Sequence, residues 1–132
     1  MTGTDKNLVA VYGSLKKGFY NHYMLGEDKE LRGKSTVNGV MYLCGTYPRL
    51  FHVAKDDNHV FGTLLESQHE VEVYSINDSA YERIRGMEIG ARYTEETLLT
   101  DWGEAKIYWA DTDSFHDSYR WIKAYTPQEI RQ

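Results

Sequence analysis

The chain has a single cysteine, Cys44, among its 132 residues, which excludes an intrachain disulfide and fits a reducing compartment. Cys44 lies in the strand-like run MYLCG, where a small thiol packs well and no base stands near it in sequence. Basic charge is also short. With 15 Lys and Arg against 20 Asp and Glu the net charge is -5, so the basic footprint that nucleic acid or an anionic membrane requires is missing. No run of about 18 apolar residues occurs, and no charged n-region followed by an apolar h-region opens the sequence. These absences predict a cytoplasmic protein with neither a nucleic-acid nor a membrane partner.

The signatures of several large catalytic classes are missing as well. GxGxxG and GxxxxGK[ST] do not occur, which argues against the usual dinucleotide and P-loop sites. Ser14 lies in YGSL rather than GxSxG, so a nucleophile elbow is not expected. The histidines His22, His52, His59, His69 and His116 show no ligand spacing such as HxxxH. Asp111, Asp113 and Asp117 lack the rest of a cation-binding loop pattern. Neither a metal nor a cofactor is expected. There are no internal repeats, low-complexity tracts or linkers, and the length suits one domain over 1–132.

What the sequence does have is aromatic and strand-like. Eleven Tyr, three Trp and four Phe bring the aromatic share to 14%, rings that pack sheets and line pockets. Leu8 to Val11 run into Tyr12 and Gly13-Ser14, the pattern of a buried strand ending in a tight turn. Gly13 lets the chain bend sharply, and the N–H groups around Gly13, Ser14 and Leu15 can converge on a small anion. The same pattern also describes a plain strand and a surface turn with a solvated Lys16-Lys17 pair.

Further strands are predicted over 37–43, 49–53, 60–65, 71–76, 93–100 and 105–110, the last two joined by Asp101-Trp102-Gly103 as a hairpin. Phe19 to Glu30 reads as a loop or short helical turn, Gly45 to Pro48 and Asp56 to Asn58 as turns, and 111–119 as a polar loop, and Pro127 opens a final helical turn. A helix is predicted to start at Ser79, with Glu82 completing a capping box. It carries Ala80, Tyr81, Ile84 and Met87 on one apolar face, with Gly86 and Gly90 flanking its end. The sum is an α+β fold, a small mixed β-barrel with short helices at its rim. Glu88 is expected just beyond that helix, between Met87 and Ile89, where desolvation would raise its pKa and make it an acid–base group near neutrality. It also reads as a solvated glutamate at a helix end.

Four stretches in order, VYGSLKKG with Asn21-His22, MYLCGTYPRL at 41–50, SAYERIRGMEIGARY at 79–93 and YRWIKAY at 119–125, resemble the γ-glutamylcyclotransferase-like superfamily, including its AIG2-like members. The resemblance implies the same mixed β-barrel and a cofactor-free enzyme. It would cyclise a small-molecule γ-glutamyl amine or peptide to 5-oxoproline and release the amine. The resemblance further implies Glu88 as general acid/base, a grip on the glutamyl head by the backbone of Tyr12, Gly13, Ser14 and Leu15, and Tyr93 and Tyr125 as wall or hydrogen-bonding residues.

The chain also departs from that family. Ile89 follows the glutamate where Gly is common, and Thr94-Glu95 follow the tyrosine where Arg is common. Two strand candidates, 60–65 and 71–76, stand where the family passes from one strand into the helix. Ile89 is expected to narrow the pocket mouth, and Arg92 to replace the missing positive charge. Two other functions therefore stay open: a non-catalytic binding module that retains the γ-glutamyl pocket, and an interaction protein whose aromatics are all core. The direction in which Glu88 points, toward the 12–15 loop or away, separates them.

Overall fold

The computed structural model describes residues 7–19, 21–45, 47–52, 67–110, 120–122 and 125. Among them the elements run β1 (Asn7–Val11), a 3-10 turn (His22–Leu25), β2 (Glu30–Cys44), β3 (Tyr47–Phe51), β4 (Ser67–Ile76), α1 (Asp78–Gly90), β5 (Tyr93–Thr100), β6 (Gly103–Ala110) and β7 (Arg120–Ile122). Strands predominate, with one α-helix among the described residues, as an α+β fold requires. None of the helices there is long and apolar enough to cross a membrane.

β1 lies inside the sheet, antiparallel to β4 from Asn7↔Ile76 to Val11↔Glu72 and parallel to β6 at Val9↔Lys106. Successive side chains of a strand point to opposite faces. Val9 and Val11 therefore pack with Leu25 and Ile84 on the helix side, while Ala10 and Tyr12 pack with Met41, Val73 and Ile107 on the other. Burial on both faces is why this stretch reads as an unbroken apolar run.

The strand order is β3-β2-β4-β1-β6-β5, with β7 also on β2. β2 pairs with β4 through residues 30–39 and with β3 and β7 through its last residues. Hydrogen-bonded closure of this path into a barrel is not found among the described residues. Its two ends are drawn together by side chains instead. The Tyr93 hydroxyl donates to the Pro48 carbonyl at 2.7 Å, His52 Nε2 lies 2.9 Å from Glu96 Oε1, and the His52 ring stacks on Trp109 with centroids 3.7 Å apart.

Several element boundaries differ from those expected. β2 begins seven residues earlier than 37, because Glu30 to Thr36, apart from a register break at Arg32, find partners along β4, whose own pairing passes through Gln68, His69 and Glu70. Tertiary pairing outweighs the polarity of both stretches. β3 begins at Tyr47 rather than 49, so Pro48 is a strand residue paired with Leu43; β3 is an end strand, where proline's missing N–H costs no ladder bond.

Asn77 caps α1, its side-chain oxygen accepting the Ala80 N–H at 2.7 Å, so Ser79 lies inside the helix rather than at its cap. The helix runs through Gly86 and Gly90, and Arg92, with φ of 73°, takes the left-handed position beyond its end. The expected strand 60–65, the turn at 56–58, the loop 111–119 and the turn at Pro127 lie outside the described residues.

Candidate active site

A cavity of about 260 Å³ opens where β1 ends and α1 ends. Tyr12, Gly13, Ser14 and Leu15 form one wall, Pro48 and Arg49 of β3 a second, and Met87, Glu88 and Ala91 at the end of α1 a third, with Tyr93 and Tyr108 also in the lining. Glu88 arrives there by helical spacing. Ala80 and Ile84 are the buried residues of α1, and Glu88 is the next step of four on the same stripe. It is a residue of the helix's last turn, not of the loop beyond it.

Glu88 is partly buried, its carboxyl set in the cavity wall, and desolvation there raises its pKa to about 7, with the charge of Arg49 pulling the other way. The negative end of the helix opposes a second negative charge in the last turn, in the same direction as burial. Among the described residues no hydrogen bond reaches the Glu88 side chain.

The 13–17 loop is held by a set of hydrogen bonds, one residue of which, Asn21, also lines the cavity. Lys16 N–H donates to Gly13 O at 2.9 Å and Asn21 N–H to Ser14 O at 3.0 Å. Asn21 Nδ2 donates to Ser14 Oγ at 3.0 Å, and His22 Nδ1 lies 2.8 Å from Leu15 O. Lys17 N–H donates to the buried Glu72 carboxylate at 2.9 Å. These bonds occupy the loop's carbonyls, and the backbone N–H groups of Gly13, Ser14 and Leu15 donate in none of them. Gly13 is needed here for a reason other than bend. A Cβ at this position would lie 2.5 Å from Pro48 Cγ, and the backbone is outside the left-handed region, so the glycine permits contact between loop and β3 rather than an unusual torsion.

The tyrosines are wall residues with occupied hydroxyls. Tyr12 donates to Tyr108 O at 2.6 Å, and burial, with smaller contributions from Tyr93 and Glu88, pushes its phenol well above the usual range. Tyr108 donates to Glu95 at 2.8 Å, and Tyr81 donates to the same oxygen at 2.5 Å. Burial would raise the Glu95 carboxyl, but these two donors and Arg85 outweigh it and leave its pKa lowered. Tyr125 does not join the lining: it is buried in the core, stacked on Phe19 with centroids 4.9 Å apart.

The cavity's positive charge comes from Arg49, not Arg92, which is exposed at the helix end. Arg49 Nη2 donates to Ala91 O at 3.0 Å, and its guanidinium lies over the Tyr93 ring at 4.9 Å. Ile89 is 44% exposed and is not part of the lining, so it does not narrow the mouth. Arg49 and Pro48 were not among the site residues expected from sequence, although Arg49 is the lone cation between buried neighbours in YPRLF. Among the described residues no three His, Cys, Asp or Glu side chains cluster as metal ligands would.

The family model GGACT, described as gamma-glutamyl cyclotransferase, AIG2-like, matches residues 9–124. The chain belongs to this family. Its fold is also that of known structures. An uncharacterized protein of Pyrococcus horikoshii is 26% identical, with a TM-score of 0.66 over 95% of this chain and 92% of its own. An AIG2-like protein of Mus musculus gives a TM-score of 0.64 at 16% identity, over 95% of this chain and 93% of that one. Allophanate hydrolase of Kluyveromyces lactis gives 0.70 at 18% identity, over 96% of this chain but 22% of that much longer protein. No curated protein matches this member of the AIG2-like family.

Proposed function

We propose that the chain is a γ-glutamyl cyclotransferase that closes the α-amine of a γ-glutamyl amine or peptide onto its own γ-carbonyl, forming 5-oxoproline and freeing the amine. The observation that carries this reading is the partly buried Glu88 carboxyl in the wall of the cavity that the Gly13–Leu15 backbone also lines, with a pKa of about 7. A carboxyl of that strength both takes and returns a proton near neutrality.

In the proposed reaction Glu88, as carboxylate, takes one proton from the substrate's α-ammonium. The freed nitrogen lone pair attacks the γ-carbonyl carbon and closes a five-membered ring. Glu88 hands that proton to the leaving nitrogen as its carbon–nitrogen bond breaks, then takes the second proton, left on the ring nitrogen by the attack, and passes it to the freed amine, so that the lactam keeps one N–H and the amine leaves as its ammonium. The substrate's own ammonium thus supplies both protons that the leaving ammonium requires, and the reaction needs no water. Nucleophile and electrophile are parts of one molecule, so the protein's task is to hold the folded rotamer. The N–H groups of Gly13, Ser14 and Leu15 are assigned to the glutamyl carboxylate, which a concave set of backbone donors suits. Tyr12 and Tyr93 are assigned to the walls.

The test offers wild type and Glu88→Gln a panel of γ-glutamyl amines and peptides, following 5-oxoproline release alongside equilibrium binding. Glutamine keeps size and reach but has no basic oxygen, so turnover is expected to fall about 10²-fold or more while affinity changes much less. Turnover that survives the substitution refutes Glu88 as the proton carrier. Binding without turnover in both proteins identifies a non-catalytic module with the same pocket.

A further inference from the structure

Arg49 is placed as a fixed charge rather than as a salt-bridge partner. Its Nη2 is anchored on Ala91 O at 3.0 Å, and the Ala91 N–H in turn bonds Met87 O and Glu88 O, each at 3.1 Å. The guanidinium is therefore tied to the same helical turn that carries Glu88. Its plane is supported by the Tyr93 ring at 4.9 Å, and Tyr93 is itself fixed by its bond to Pro48 O, the residue before Arg49. One end of this clamp is on β3 and the other at the passage from α1 to β5.

Two of the arginine's donors, Nε and Nη1, are buried and have no hydrogen-bond partner. Leaving such donors unpaired is costly, and a structure usually pairs them with a nearby carboxylate when one is within reach. A carboxyl does line the same cavity, that of Glu88, yet the two form no ion pair among the described residues. The anchor on Ala91 O holds the cation near the carboxyl without letting it close on it. A closed ion pair would hold Glu88 permanently ionised and useless as an acid. A cation withheld from contact offsets part of the desolvation and leaves the carboxyl able to exchange protons.

We propose that Arg49 is a positioning residue whose anchored guanidinium acts as the fixed counter-charge of Glu88, enabling the partly buried carboxyl to ionise while leaving its oxygens free for a substrate. The proposal rests on the acid–base role given to Glu88 above. The other groups that act on the carboxyl or line the cavity with it do not supply this charge. Tyr12 follows β1, Tyr93 is on β5 and Tyr108 is on β6; Glu95, beyond Tyr108, is an anion and already holds two phenols and Arg85. Arg49 is the one cation among the described residues of the lining.

The experiment titrates the Glu88 carboxyl by carbon-13 NMR, assigned by its loss in Glu88→Gln, in wild type and in Arg49→Gln, Arg49→Met and Arg49→Lys. In parallel, kcat/KM for 5-oxoproline formation is followed from pH 5 to 9. In either neutral variant the titration midpoint is expected to rise by about one unit. The acid limb of the rate profile should move with it, costing about five-fold at pH 7 and little at pH 9. Methionine packs on Tyr93 without leaving unpaired donors, so it serves where glutamine prevents folding. Arg49→Lys keeps the charge, and its midpoint should stay within about half a unit of wild type.

A neutral variant that folds and titrates as wild type does overturns the proposal, as does a lysine midpoint displaced by more than that. A merely structural role for Arg49 would lower activity at every pH without moving either midpoint, and that outcome also overturns it. The NMR titration needs no turnover, so an inactive wild type would remove the proposed reaction while still reporting whether Arg49 governs Glu88.

Discussion

Gly13→Ala probes how the cavity is kept in register. The added Cβ would lie 2.5 Å from Pro48 Cγ and 3.1 Å from Pro48 Cδ, whereas carbons in favourable contact sit about 3.5–4.0 Å apart. Loop and ring must therefore separate by about 1 Å. Neither side yields easily. The Pro48 ring is rigid, paired in the ladder opposite Leu43, and its carbonyl holds the Tyr93 hydroxyl. The loop is fixed through Lys16 N–H to Gly13 O and Lys17 N–H to Glu72, both at 2.9 Å. Alanine incurs no torsional penalty here, so the effect is purely steric.

Overpacking of this sort costs about 1–3 kcal/mol, and a displacement of about 1 Å at a reacting centre costs about 10²-fold in rate. Urea unfolding of Gly13→Ala is expected to show a loss of about 2 kcal/mol, with kcat/KM reduced by one to two orders of magnitude, roughly. Pro48→Ala removes the colliding atoms, so in Gly13→Ala/Pro48→Ala the two effects should couple favourably by about 1 kcal/mol or more. A single variant with wild-type stability and turnover, or a double variant whose losses simply add, would refute the idea that this contact holds the loop.

Stability should also depend on pH through Glu88, whose folded pKa of about 7 exceeds the ordinary 4.5. Between those values the folded state binds more protons than the unfolded state, so stability falls as pH rises, by up to about 3 kcal/mol. Glu88→Gln should abolish that slope and be the more stable protein at pH 8 by urea unfolding; a parallel pH dependence in both proteins would count against a desolvated Glu88 carboxyl. Asn77→Ala removes the acceptor of the Ala80 N–H and should cost about 1 kcal/mol by the same measurement. Ser79→Ala should cost much less, and the reverse ranking would restore Ser79 as the cap.

Local patterns in the sequence were enough for β1, for the β5–β6 hairpin and for the existence of α1. Each is specified by neighbours in the chain: an unbroken apolar run, a turn between two alternating strands, a polar cap before an apolar face. The family resemblance carried Glu88, Tyr93 and the 12–15 loop, and the structure brings all of them to one cavity. Tertiary structure decided the rest. The polar stretches 30–36 and 67–70 became strands because they found each other, a pairing across about forty residues that no local window contains. Glu88 lies inside the helix and in the cavity wall because the Ala80–Ile84 stripe continues to it and a sheet covers that stripe. Arg49 entered the site only when β3 was laid against the end of α1, since what makes an arginine functional is the carboxyl and the carbonyl beside it, and both come from a distant part of the chain.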